Sequence, residues 1–157
     1  MSARLITTVL LCTVSVFGLE TIKFRPCKST FTVDRVAVKG AQVTEEDGKQ
    51  VLIFKPDTKP LMHIEFTPTI DTSAKYLTSV NAKGKDGLLK WTLPQPESCE
   101  FMECPLEKGK QVTYEQEFHL KAQYPKGHNM QVNWALEREG QNEKDVCIIF
   151  LAKILEA

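Results

Sequence analysis

The chain has 157 residues, which suffices for one domain with a substantial apolar core. Its 20 Lys and Arg residues balance 20 Asp and Glu residues, so the formal net charge is zero and nucleic-acid binding by bulk charge is excluded. Apolar residues make up 42% of the chain, and its Gly and Pro residues follow no period, which excludes wholesale disorder and low-complexity or collagen-like sequence.

The N-terminus has the pattern of a secretory signal peptide. Residues 1–4 are short and positively charged, residues 5–17 are apolar without a charge, and Gly18 supplies a small residue for cleavage. The apolar run is shorter than the ~20 residues that cross a bilayer, which makes a permanent anchor the weaker interpretation. We therefore predict a signal peptide at 1–18 and a mature domain at 19–157 that is secreted and extracellular, with the lysosomal or endosomal lumen as the alternative.

Four cysteines remain after the predicted cleavage, since Cys12 lies in the signal peptide. Cys99 and Cys104 are close enough in sequence to close a local loop, and pairing them leaves Cys27 to bind Cys147. A zinc site is the alternative interpretation. However, no C-x-x-C pair occurs in the chain, and an oxidising compartment favours disulfides.

Short runs of alternating apolar and polar residues predict β-strands. The clearest run extends from Val112 to Tyr124, where Gln116 is the one polar residue on the apolar face. Further strands are predicted at residues 64–70, 89–93, 130–136 and 146–155. The last of these is apolar on both faces until Lys153, as in a central strand or one that bears a disulfide, and turn residues separate all of them. This pattern predicts a single all-β domain, an immunoglobulin-like β-sandwich of two antiparallel sheets.

No catalytic motif is recognised in the sequence. His63, His119 and His128 are scattered, and Glu115 and Glu117 share a face that is predicted to be exposed. An exposed carboxyl group does not gain the raised pKa that acid catalysis needs. We therefore expect a protein that is not an enzyme and that uses no cofactor or metal ion.

Two charged segments are open to more than one interpretation. Glu45, Glu46 and Asp47 precede Gly48, which suggests a solvated turn, with a calcium site as the alternative. Four lysines are interpreted as a solvated rim, with a surface for anions as the alternative. They are Lys75, Lys83, Lys85 and Lys90.

Large apolar side chains are abundant on the inward faces of the predicted strands. They are explained either by a well-packed core or by a pocket between sheets that stand slightly apart. A lipid chain that entered such a gap would gain about 0.8 kcal/mol for each buried methylene, and disulfides would offset the stability that a cavity costs. Residue spacing alone does not decide between these two interpretations.

Several motifs of this chain resemble those of one protein family. The segment from Cys99 to Lys108, CEFMECPLEK, followed by glycine, is similar to a cysteine motif of the ML lipid-recognition family. Within that family, the chain most resembles the Niemann-Pick type C-2 sterol-carrier branch and its arthropod and mite-allergen members. The stretch that ends in Tyr124-Pro125, the Val-x-Trp-x-Leu run at 132–136 and the late Cys147 also match, and Cys27 stands where the family places the partner of that cysteine.

The resemblance implies a secreted two-sheet sandwich that holds one lipid between its sheets. Carried over to this sequence, Trp91 forms one side of the mouth, and Leu120, Tyr124 and Pro125 form the opposite lip. The wall is assigned from inward alternation to Phe66, Leu93, Tyr114 and Trp134. The expected function is a monomeric carrier of a sterol or long-chain fatty acid, with transient membrane contact during delivery. A recognition module for a microbial lipid or a protein, of the innate-immune or adhesion type, is the alternative.

The sequence departs from the family pattern in two places. Residues 41–55 contain no cysteine, whereas relatives of this branch carry a second small disulfide in the early hairpin. Trp91 replaces the phenylalanine that is common at the mouth, which narrows the expected entrance and makes a straight-chain fatty acid as plausible as a sterol. The sequence also contains no N-x-S/T site for a glycan.

Overall fold

The computed structural model describes residues 18–157, so the predicted signal peptide, apart from Gly18, lies outside the described residues. The described part of the chain forms eleven β-strands and one short 3₁₀-helix, Ser98–Glu100. The strands are β1 Glu20–Thr21, β2 Arg25–Pro26, β3 Thr32–Lys39, β4 Gln42–Glu46, β5 Lys49–Phe54, β6 Leu61–Thr67, β7 Tyr76–Gly84, β8 Gly87–Trp91, β9 Val112–Glu117, β10 Met130–Arg138 and β11 Lys144–Ile154. None of the helices in this part of the chain is long and apolar enough to cross a membrane.

The strands form two sheets that pack face to face, as the alternation of apolar and polar residues predicts. One sheet has four strands in the order β1-β3-β6-β9. The other has seven strands, six of them in the order β4-β5-β11-β10-β7-β8, while β2 adds to β11. The immunoglobulin-like sandwich is confirmed. One pair departs from the antiparallel prediction, because β5 lies parallel to β11. The chain passes from the four-stranded sheet to the seven-stranded sheet before the β4–β5 hairpin.

The run at residues 146–155 forms the greater part of β11, which is the central strand that its composition predicts. β10 pairs along one side of β11, while β2 and β5 share the other side. Both predicted disulfides are present. Cys27–Cys147 joins the N-terminal segment to this central strand across 120 residues, and Cys99–Cys104 closes a loop of five.

The clearest predicted strand is longer in the sequence pattern than in the structure. The run from Val112 to Tyr124 forms a strand only as far as Glu117, and Ala122, which the pattern placed on the inward face, is exposed. After Glu117 the chain bonds instead to the segment before β6, where the Phe118 and Leu120 amides donate to carbonyls there. These side chains therefore stay buried although the regular ladder has ended.

Two further residues lie outside the strands that were predicted for them. β6 ends at Thr67, so Ile70 lies in a loop and is 42% exposed, contrary to its predicted inward position. Similarly, β8 ends at Trp91, and Leu93 is only partly buried against the core. In both cases the alternation continues in the sequence beyond the last residue that has a strand partner.

The charged segments behave as solvated surface. Asp47 and Gly48 both have positive φ, of 50° and 73°, which is the backbone of a tight two-residue hairpin turn. Glu46 binds the Lys153 ammonium group at 2.7 Å, and this hydrogen bond lowers the pKa of the Glu46 carboxyl group. Lys75 and Lys83 lie at opposite ends of β7, roughly 25 Å apart at the usual rise of a strand, so the four lysines form no single patch.

Candidate functional site

No β-ladder joins the two sheets along the side where β8 and β9 lie, because each of these strands is the last in its sheet. Three aromatic rings close this side. The Trp91 ring stacks on that of Tyr124, with centroids 5.8 Å apart and planes inclined by 7°, and on that of Phe118, with centroids 5.9 Å apart. Trp91 ends β8, whereas the other two rings follow β9. Side chains, and not a β-ladder, therefore join the two sheet edges here.

The stack continues inward as a chain of aromatic contacts. The Phe118 ring meets the Trp134 ring edge to face at 5.1 Å, and Trp134 in turn meets Tyr114 at 6.5 Å. In the seven-stranded sheet, Val80 pairs with Trp91 on one side and with Trp134 on the other. The two tryptophans thus lie in one row of the sheet, two strands or roughly 10 Å apart. A continuous aromatic wall leads from the edge to the centre of the sandwich.

A chain of hydrogen bonds lies at the inner end of this wall. Tyr114 donates to Gln116 Oε1, which fixes the direction of the chain, since an amide oxygen only accepts. Consequently the Thr78 hydroxyl, 3.2 Å away, donates to Tyr114, and the Ser98 hydroxyl donates to Thr78 at 2.8 Å. Gln116 completes the chain by donating from Nε2 to the Gln95 carbonyl at 2.6 Å. Every member of the chain is neutral.

Burial has a clear effect on the phenol in this chain. It raises the pKa of the Tyr114 hydroxyl well above its ordinary value, while the neighbouring Thr78 and Trp134 side chains lower it. The Trp134 and Tyr114 rings meet edge to face, with centroids 6.5 Å apart, and the indole N–H acts on the phenol closely enough to lower its pKa. The geometry is too poor for a hydrogen bond, however, so the Trp134 N–H has no well-formed partner among the described residues. The buried N–H of Trp91 is likewise unpaired within residues 18–157.

The resemblance implied an open cavity between the sheets, and the structure shows this space closed. Phe66, Tyr114, Leu120 and Trp134 have no accessible surface, which a water-sized void beside them would have provided. The space is filled because the Phe118 ring lies between the two sheets, against Trp91 and Trp134. A guest between the sheets must therefore displace aromatic rings, the outermost of which belong to Trp91 and Tyr124.

The structure brings together most of the residues that were assigned to the mouth and wall. Trp91 and Tyr124 are in contact at the edge, and Leu120, Tyr114 and Trp134 belong to the same buried cluster. Phe66 stacks instead on Phe31, with centroids 6.1 Å apart. The other two assigned residues are more peripheral. Leu93 is partly buried, and Pro125 lines a depression of about 130 Å³ beside the β7–β8 hairpin.

Sequence reasoning missed the polar part of the site. Thr78, Ser98 and Gln116 face the space between the sheets, and none was assigned to it. Gln116 did carry a signal, because it interrupts an otherwise apolar face. Thr78 and Ser98 carried none, since hydroxyl residues in a strand and in a loop are ordinary on a protein surface.

Two of the three histidines lie apart from this site, and His128 lines the depression beside Pro125. His63 is buried on the outer face of the four-stranded sheet, where its ring nitrogens lie 2.7 Å from Glu115 Oε1 and 2.9 Å from Glu65 Oε1. His63 lowers the pKa of the Glu65 carboxyl group through this hydrogen bond. His119 pairs with Asp57 at the surface. Among residues 18–157, no group of three or more His, Cys, Asp or Glu side chains is arranged to hold a metal ion.

Comparison with known proteins assigns the chain to a family. The family model of the ML domain matches residues 21–154. The protein heh-1 of Caenorhabditis elegans is 38% identical over 137 residues, which cover 86% of this chain and 88% of that protein. The crystal structure of a Niemann-Pick type C2 protein from the Japanese carpenter ant matches with a TM-score of 0.69, covering 85% of this chain and 99% of that chain. At 21% identity, this last likeness shows the fold alone.

The cysteine, Tyr-Pro and Trp motifs indicated the same family, and all of them lie within the matched range. The resemblance is therefore confirmed, and the chain belongs to the ML-domain family of lipid-binding proteins.

Proposed function

We propose that this protein is a carrier that takes up a sterol or a fatty-acid-like lipid between its two sheets and releases it unchanged. The observation that supports this most directly is the aromatic stack of Trp91, Tyr124 and Phe118 between the edge strands β8 and β9. Flat rings swing on two side-chain torsions while covering a large apolar area, so they can open without breaking a β-ladder. The swing of Tyr124 breaks one hydrogen bond, which its hydroxyl accepts from the Thr92 backbone N–H at 3.2 Å. Behind them the wall is aromatic and uncharged, as a hydrocarbon guest requires.

Energetics favour a lipid as the guest. Each aromatic contact in the stack contributes about 0.5–1.5 kcal/mol beyond the area that it buries. A lipid chain regains about 0.8 kcal/mol for each methylene that enters, so several methylenes offset the loss of two stacking contacts. No chemical step is part of the proposal, because uptake and release need only the movement of these rings.

The proposal is tested by lipid uptake in solution with variants of the stack. We expect Trp91→Ala and Tyr124→Ala to weaken binding of a fluorescent fatty acid or sterol about tenfold, a loss of about 1.4 kcal/mol, with cooperative unfolding preserved. Ile70→Ala is the matched control, since Ile70 is exposed and follows the end of β6 that pairs with the start of β9, away from the stack. Unchanged uptake in both stack variants would contradict the proposed entrance, and failure of every lipid to bind would contradict the carrier function.

The proposed location is extracellular, after removal of residues 1–18. Two disulfides support an oxidising compartment, in which such bonds persist. Expression in a secretory host with N-terminal sequencing of the product checks this, and the expected first residue is Leu19. We propose that the secreted protein acts as a monomer, because only four large apolar side chains among residues 18–157 are exposed (Leu19, Ile70, Leu88 and Leu155).

A further inference from the structure

Two buried indole N–H groups in the space between the sheets have no hydrogen-bond partner among the described residues. Trp91 is 3% exposed, and Trp134 is fully buried. Leaving a buried donor unpaired costs about 1–3 kcal/mol, and buried tryptophans normally find a partner for their N–H. A phenylalanine would supply an aromatic ring at either position without this cost.

The two indoles differ in whether water can reach them. Trp91 ends the edge strand β8, so a swing of its ring brings the N–H to solvent. Trp134 lies on β10, which has β11 on one side and β7 on the other, and its ring is enclosed by Phe118 and Tyr114. Only a group that enters the sandwich can therefore satisfy the Trp134 donor.

The neighbouring hydrogen-bond chain leaves this donor available. Tyr114 accepts from Thr78 and donates to Gln116, so its hydroxyl already makes two hydrogen bonds. The Trp134 N–H acts on this phenol only at a geometry too poor for a hydrogen bond. An oxygen atom placed beside the Trp134 ring would accept the free N–H and leave the chain intact.

The surroundings also define the charge of the group that can bind. The buried polar residues that face this space, Thr78, Ser98 and Gln116, are all neutral. The buried Asp, Glu, His, Lys or Arg side chains among the described residues are His63, on the outer face, and Asp145, which binds Arg138. A carboxylate would thus be buried without a cation, at a cost that far exceeds one hydrogen bond.

We propose that Trp134 is the polar recognition residue of the lipid site, and that its indole N–H binds an uncharged oxygen, such as a hydroxyl, ketone or ester oxygen, in the part of the lipid that enters the sandwich. This inference rests on the proposed carrier function and narrows its ligand class. Lipids with a neutral oxygen in the buried part are favoured over plain hydrocarbon chains, and a fatty acid keeps its carboxylate at the mouth.

A pair of probes that differ only in one oxygen tests this. Pentadecan-8-one carries its carbonyl at the middle of the chain, so the oxygen cannot stay outside, and pentadecane is its hydrocarbon match. We expect Trp134→Phe to weaken binding of the ketone about tenfold and binding of the alkane less than twofold, since one hydrogen bond to a buried donor is lost for the ketone alone. Trp91→Phe is the control, and it should affect both probes alike.

Nuclear magnetic resonance of the wild-type chain gives a second readout that does not depend on the stability of a variant. The two tryptophans give two indole N–H signals, which the two variants assign. We expect the Trp134 proton signal to move downfield with the ketone and not with the alkane. An equal loss of affinity for both probes in Trp134→Phe, or an unmoved Trp134 signal in the ketone complex, would overturn the inference while leaving the carrier function in place. If neither probe nor any fatty acid or sterol binds, the carrier function itself fails.

Discussion

Asp145 is the most deeply buried carboxylate of the described residues, and four hydrogen bonds hold it. Arg138 binds it with two nitrogens, at 2.6 and 2.9 Å, Tyr76 donates at 2.5 Å, and the Thr30 hydroxyl donates as well. Burial works against the charged form, but these hydrogen bonds outweigh it and hold the pKa of the Asp145 carboxyl group below its usual value. The cluster ties β7, β10 and β11 to the segment that follows Cys27.

Asp145→Asn is therefore expected to destabilise the protein strongly. Removing one partner of a buried ion pair costs about 3–5 kcal/mol, and it leaves Arg138 only the exposed carboxylate of Glu143, at 3.3 Å, as a counter-ion. Glu137→Gln is the matched control, because Glu137 is one-third exposed and contacts Lys144 at 3.8 Å, a pairing worth at most about 1 kcal/mol. Chemical denaturation of the two variants measures the difference, and similar midpoints for both would contradict this account.

The same carboxylate gives a pH dependence with a definite sign. Since its pKa is lower in the folded protein than in the unfolded chain, its contribution is present above the unfolded pKa of about 3.9 and is lost as the pH falls through the folded value. The free energy of unfolding of the wild type should thus fall more steeply below pH 4 than that of Asp145→Asn. Parallel acid profiles for the two proteins would show that Asp145 is not the group responsible.

Among the elements, the two disulfides constrain the chain very differently. Cys27–Cys147 spans 120 residues and anchors the N-terminal segment to the central strand β11, whereas Cys99–Cys104 closes a loop of five. In the chain-entropy description, these links restrict the unfolded state by roughly 5 and roughly 2 kcal/mol respectively.

Replacing both cysteines of the long link by serine should therefore unfold the chain at ambient temperature or bring it close to unfolding. The corresponding Cys99→Ser and Cys104→Ser double variant should stay folded with a smaller loss of stability. Thermal unfolding followed by circular dichroism compares the two, and a larger loss in the short-loop variant would refute the ranking.

Strand positions were more predictable than strand ends, for a physical reason. Alternation reports which face a side chain occupies, and the burial of Val112, Tyr114, Phe118 and Leu120 agrees with the prediction. The ladder itself depends on whether a partner strand is present. Glu117 pairs with Leu61, the first residue of β6, so no partner strand remains beyond Glu117. The chain therefore leaves the sheet there, although the alternation continues in the sequence. Ile70 was misplaced for the same reason.

At the scale of the whole molecule, the apolar half of the site could be predicted from the sequence, and the polar half could not. Trp91 and Tyr124 were placed at the mouth by family motifs, and the structure brings their rings into contact. The hydrogen-bond chain joins Thr78, Ser98 and Gln116 from three separate segments. Their proximity follows from the pairing of β7 and from the path of the disulfide loop, neither of which leaves a periodic mark on the sequence.

The closed state of the sandwich also carries a consequence for ligand binding. A lipid that binds between the sheets has to separate the stacked aromatic rings, so its measured affinity would include the cost of opening the stack. A lipid present at a hundred times its Kd stabilises the native state by about 2.7 kcal/mol, which raises the Tm by roughly 5 to 10 °C for a domain of this size. If the lipid enters between the sheets, it must also separate the Trp91 and Tyr124 rings, whose stacking gives a near-ultraviolet circular dichroism signal. We therefore expect the rise in Tm and the change in this signal to follow the same saturation curve, whereas a rise in Tm without a change in the aromatic signal would place the lipid outside the sandwich.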